Sequence, residues 1–150
     1  MVVRTGQQSE LRKGHQLLPF EFTVEGPAIS QQTRRRSRLQ AWKAFVRSRA
    51  AARWPAHSAP LTQPLRVIVT YYFDGDPLDT DNMIKPICDA LVGLVYQDDG
   101  QIDDNEAHRR SLSGSFRVRG MSPVLAEGFV TGREFVHVRV EERLDPEVLP

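Results

Sequence analysis

The nine residues Leu65–Phe73 constrain the fold more than any other stretch. Leu65, Val67, Val69, Tyr71 and Phe73 share one face of a strand, and Ile68 and Tyr72 make the opposite face partly apolar as well. A strand that is apolar on both sides belongs inside a sheet that is covered on both faces, so this is the expected central strand. Residues 82–95 follow, with Ile84, Ile87, Cys88, Leu91, Val92 and Val95 at the i, i+3, i+4, i+7 spacing of an amphipathic helix that can lie on such a sheet. Asp81 is its natural N-cap. Pro86, at the fifth helical position of that reading, removes one early hydrogen bond and bends the first turn without ending the helix.

Around this unit the chain reads as further short elements. Residues 20–25 alternate, with Phe20, Phe22 and Val24 on one side and Glu21, Thr23 and Glu25 on the other, before Gly26 and Pro27 end the strand. Residues 31–53 form a helical region with Leu39, Trp42, Phe45 and Val46 inward, closed by Trp54, Pro55 and the prolines at 60 and 64. Residues 106–118 and 135–141 look like strands, the second with Val136, Val138 and Val140 inward and His137 and Arg139 outward. The order strand, helix, strand, helix, strands predicts an α/β (α+β) fold, a mixed β-sheet with packed helices. At 150 residues and 40 % hydrophobic content the chain can bury one core. We expect one domain over residues 19–145, a flexible leader at 1–18 and a short tail at 146–150. No stretch approaches the roughly 18 to 20 apolar residues of a membrane span, and residues 1–18 lack the apolar core of a secretory signal. Cys88 is the only cysteine, which excludes an internal disulfide and fits the cytoplasm.

Charge is distributed unevenly. Residues 1–66 hold twelve Lys or Arg against three Glu, a net +9, whereas residues 67–106 hold Lys85 against nine Asp and one Glu, a net −9. Carboxylates so concentrated around one lysine repel one another unless a cation binds among them, and a metal ion is the economical candidate. Asp81, Lys85 and Asp89 are spaced by four and lie along one helical stripe, and Asp79 just precedes the positive helix end. If the Asp98-Asp99 turn folds back toward that end, three or four carboxylates meet beside Lys85. Oxygen donors of this kind suit Mg²⁺, usually held by one or two carboxylates with phosphate and water completing the shell.

The literal string is more specific. Asp79-Thr80-Asp81-Asn82-Met83-Ile84-Lys85-Pro86, then Asp89-Ala90-Leu91, then Tyr96-Gln97-Asp98-Asp99-Gly100-Gln101-Ile102, resembles the signature of the RusA-type Holliday junction resolvases: Asp-x-Asp-Asn-x-x-Lys, an Asp-Ala-Leu helix and a late Asp-Asp-x-Gln. The resemblance implies a homodimeric mixed α/β endonuclease that cuts a four-way DNA junction symmetrically with Mg²⁺, or with Mn²⁺ as a substitute. Carried over residue by residue, it implies metal binding by Asp79, Asp81 and Asp99, with Asp98 as a fourth candidate, and a catalytic role for Lys85. Family members often carry basic residues before the Asp-x-Asp-Asn, where this chain has Asp74-Gly75-Asp76-Pro77. Grip on phosphates would therefore come from elsewhere, with Arg34, Arg35, Arg36, Arg38, Lys43 and Arg47 as candidates.

Blander roles fit other residues. Asp89 reads as the i+4 partner of Lys85, Cys88 as a core residue, and Trp42 and Trp54 as packing residues, while the four histidines show no ligand spacing. The Asp74-Gly75-Asp76 end of the central strand looks like the nucleophile turn of haloacid-dehalogenase-type phosphatases. Fewer than 80 residues follow it, too few for their larger sheet and later motifs. The alternative of a different class is a non-catalytic module that binds branched DNA. Such a module would keep the basic helix but have little reason to hold Asp79, Asp81, Lys85 and Asp99 together.

Overall fold

A computed structural model describes residues 17–150. The leader expected at 1–18 lies outside the described residues except for Leu17 and Leu18, which pack against the core. The elements in order are β1 (Phe20–Glu25), α1 (Arg36–Arg53), β2 (Leu65–Phe73), α2 (Thr80–Leu91), a 3₁₀ turn at Asp99–Gln101, β3 (Ile102–Ser111), α3 (Pro123–Val130) and β4 (Phe135–Glu142). The four strands form one mixed sheet in the order β1-β4-β2-β3. Strand β4 runs antiparallel to both β1 and β2, while β3 runs parallel to β2. A parallel pair needs a long crossover, and α2 provides it.

The register builds the core in ranks. Phe20, Val140 and Val67 stand side by side, as do Phe22, Val138 and Val69, and then Val24, Val136 and Tyr71. Onto this face α1 presents Leu39, Trp42, Val46 and Ala50, and α2 presents Met83, Ile87 and Leu91, all buried. Complete burial of an aliphatic side chain of this size is worth about 1.5–3 kcal/mol. The opposite face carries α3, whose Phe129 stands edge-on to Tyr72 and Phe135 with ring centroids 4.8 and 5.1 Å away.

Several boundaries differ from the sequence reading, each for a local reason. Helix α1 begins at Arg36 and not at 31, because the Gln31 N–H donates to the Asn82 carbonyl at 2.9 Å and Thr33 to Ser30. Helix α2 begins earlier, with Asp79 and not Asp81 as N-cap, which makes Asp81 the second helical residue and buried Pro86 the seventh. It ends at Leu91 and does not reach Val95, because Gly93 takes a φ of 80° that turns the chain. Strand β3 spans Ile102–Ser111 in place of 106–118, since β2 stops at Phe73 and offers no further partner. Helix α3 was unforeseen, although the Ser122 hydroxyl accepts from the Leu125 N–H and Pro123 occupies the first turn, both ordinary start signals. His137 stands on the face opposite Val136, Val138 and Val140, as the alternation predicts, but α3 covers that face and leaves it buried, its Nε2 2.7 Å from Glu21 Oε2.

Candidate active site

Helix α2 runs back from the end of β2 over the edge strand β3. Asp81, Ile84, Lys85 and Cys88 recur at i, i+3, i+4 and i+7, so one stripe of the helix looks toward β3 and the turn before it. With Asp99, Ile102 and Asn105 they line an open cleft of about 270 Å³. Ile84, Cys88 and Ile102 are its apolar members, and Asp81, Lys85, Asp99 and Asn105 its polar ones. Cys88 is buried, which pushes its thiol up to about 12.

Lys85 Nζ donates to Asp89 Oδ1 at 2.7 Å and to Asp99 Oδ2 at 3.5 Å. The Asp89 hydrogen bond, reinforced by the charges of Asp89 and Asp99, holds the ammonium above its ordinary pKa despite slight desolvation. Asp89 also lies 3.7 Å from Lys43 Nζ, so the i+4 partner of Lys85 is anchored from α1 as well.

Lys85 bonds to two carboxylates, Asp89 and Asp99, and Asp81 lines the same cleft. Asp79 is exposed at the N-cap and does not line the cleft. Asp98 folds over its own turn, with Oδ2 only 2.9 Å from where a Cβ on Gly100 would stand. Accordingly, no three His, Cys, Asp or Glu side chains among the described residues are grouped to hold a metal ion by themselves. A dedicated protein cage is absent there. The donor set still fits Mg²⁺, which accepts one or two carboxylates and takes its remaining oxygens from water and phosphate. Asp81, Asp99 and the Asn105 amide oxygen are hard donors around one solvent-open space.

Among known protein families, the one described as endodeoxyribonuclease RusA matches residues 24–119. The chain belongs to the RusA family. This family consists of DNA endonucleases of the Holliday junction resolvase kind. No curated protein matches the chain. The RusA match takes in α1, β2, α2, the Asp99–Gln101 turn and β3, hence every residue of the cleft, and leaves α3 and β4 outside.

The basic residues of this RusA chain divide into two sets. Arg47 donates from Nη1 to the Ala90 and Val92 carbonyls at 3.1 and 2.7 Å, closing the C-terminus of α2, and Lys43 faces Asp89. Arg34, Arg35, Arg36 and Arg38 are exposed and have no side-chain hydrogen bond or ion pair among the described residues. The Gln31–Asn82 backbone bond ties the start of their segment to the first turn of α2. Sequence reasoning missed Asn105 and Arg109. They alternate along β3 on the α2 side, in register with Val67 and Tyr71, and Arg109 Nη1 donates 2.9 Å to the Leu78 carbonyl, one residue before Asp79. Their period-two placement was visible, but which face α2 would cover was not. Asp103, Asp104 and Glu106 of the acidic segment serve the fold, engaging Arg143, the Leu144 N–H and Arg66.

Proposed function

We propose that this chain is a Mg²⁺-dependent homodimeric endonuclease that resolves four-way DNA junctions by symmetric paired nicks, in cytoplasmic DNA recombination and repair. The convergence of Asp81, Asp99 and Lys85 on one open cleft of a RusA-family chain carries the reading. Asp81 and Asp99 would hold the metal, with Asp79, the N-cap residue of the same helix, as a further candidate ligand. Bound Mg²⁺ would supply activation of water and charge neutralisation at the phosphate. Lys85, fully protonated at neutral pH, balances negative charge developing on the scissile phosphate. Asp89, itself held by Lys43, keeps that ammonium from swinging into solvent.

The basic N-terminus of α1 supports an anionic partner. This helix has no acidic residue in its first turn and no side-chain cap, so Arg34, Arg35, Arg36 and Arg38 crowd its positive end. A cation there is disfavoured by about 0.3–1 kcal/mol at low ionic strength. A DNA phosphate removes that conflict and accepts from the free N–H groups. A two-fold dimer would present two such clefts to a two-fold junction.

The test is cleavage of an end-labelled synthetic four-way junction, with linear duplex and flap DNA as controls, with and without Mg²⁺, for wild type and Asp81→Asn. Paired Mg²⁺-dependent nicks that vanish in the variant are expected. A junction that is bound but left intact across divalent metals would replace the nuclease with a branched-DNA-binding module.

A further inference from the structure

The turn that carries Asp99 is a capping box of Asp98 and Gln101, and the Gln101 side chain is what ties it to the segment before β2. Its Oε1 accepts from the backbone N–H of Gln97 at 3.0 Å and of Asp98 at 2.9 Å. Its Nε2 donates to the carbonyls of Leu61 at 2.9 Å and Gln63 at 3.0 Å. A primary amide has two hydrogens and two acceptor lone pairs, and here all four are used. The two sides of this clamp are far apart in sequence. One is the turn that leads into Asp99, and the other is the segment that feeds β2, already bridged to Tyr96 through the Leu61 and Gln97 backbones. Asp99 therefore stands beside a turn anchored to the sheet, whereas its own carboxylate has only a long 3.5 Å contact with Lys85 to orient it. Gly100 completes the arrangement by leaving room for the Asp98 carboxylate to fold away from the cleft.

We infer that Gln101 is a positioning residue that sets Asp99 for divalent-metal binding opposite Asp81. Gln101 does not line the cleft and acts only through the turn. The inference rests on the nuclease reading above. Residues that orient metal ligands from behind usually change metal affinity by about 10- to 100-fold when removed, and Gln101→Leu, near in volume but unable to make any of the four bonds, is expected to fall in that range.

The test is Mn²⁺ binding to the full-length protein without DNA, followed as loss of the free-Mn²⁺ electron paramagnetic resonance signal, alongside the Mg²⁺ concentration for half-maximal junction cleavage. Gln101→Leu should weaken Mn²⁺ binding and raise the Mg²⁺ midpoint by about tenfold, with junction binding unchanged. Gly128→Ala, a destabilising change on the opposite face of the sheet, should alter neither. Should Gln101→Leu not fold, Gln101→Glu, which keeps the two accepted bonds and loses the two donated ones, carries the same measurement. A folded Gln101 variant with unshifted Mn²⁺ affinity, beside an active wild type, overturns the positioning role and leaves the nuclease reading standing. A wild type that neither binds Mn²⁺ nor cleaves the junction overturns both.

Discussion

Replacing Gly128 by alanine sets two well-measured effects against each other. Alanine is favoured over glycine inside a helix by about 1 kcal/mol, so at an open position the change would stabilise α3. At this position a Cβ would lie 2.6 Å from Phe135 Cδ2 and 2.7 Å from Cζ. Phe135 is 1 % exposed, stacked on Tyr72 with centroids 4.7 Å apart and met edge-on by Phe129 at 5.1 Å, so its ring has nowhere to retreat. Overpacking of this kind costs about 1–3 kcal/mol, and contact with a boxed ring belongs in the upper part of that range. The net expectation is a loss of about 1–2 kcal/mol, or a Tm lowered by roughly 2–8 °C for a chain of this size. Urea unfolding followed through the buried Trp42 and Trp54 reads it directly. Phe135→Leu combined with Gly128→Ala should recover part of the loss, because the smaller side chain vacates the contact. A Gly128→Ala protein more stable than wild type would refute the claim that this glycine exists to admit the ring.

Arg47→Met should destabilise by about 1–3 kcal/mol in urea unfolding, since the Ala90 and Val92 carbonyls lose their donor; an unchanged midpoint would return Arg47 to the DNA surface. Arg34→Ala and Arg38→Ala should instead leave stability within about 0.5 kcal/mol, while each lowers the salt dependence of junction binding by about one unit of slope, read by fluorescence anisotropy across a salt series. Burial, with help from Arg139, holds the His137 imidazolium below its ordinary pKa against the opposing pull of Glu21. The unfolded chain therefore takes up a proton first, and the stability contributed by neutral His137 is complete above about pH 6.5 and declines as pH falls toward the folded pKa. His137→Gln should flatten that part of the decline between pH 7.5 and 5, and equal slopes would exclude His137 as its source. The Cys88 thiol, buried and pushed up to about 12, should resist iodoacetamide at pH 8 until urea unfolds the chain; rapid alkylation of the native protein would contradict its burial.

Local patterns decided much of this protein. Strand β2 was legible to the residue because alternation and β-branched composition act over neighbouring positions, and β1 for the same reason. The Asp81, Lys85, Asp89 stripe followed from helical spacing alone, which places residues four apart on one face. The family signature was legible because its residues lie within 79–102, close along the chain. Element ends were less legible. Helix α1 starts late because Gln31 bonds to Asn82, a partner more than fifty positions away, and β3 stops at Ser111 because β2 has run out. Other features depend wholly on which surfaces meet. Arg47 looked like one more surface arginine until α2 brought two carbonyls to it, and His137 looked outward until α3 covered that half of the sheet. Asp98 and Asp99 are adjacent and identical in type, yet only Asp99 enters the cleft, because the turn clamped by Gln101 directs the two carboxylates apart. Which residues could form strands and helices, and which carboxylates were candidates, followed from spacing along the chain. Which candidates converge followed from the packing of segments whose separation in sequence carries no periodic signal.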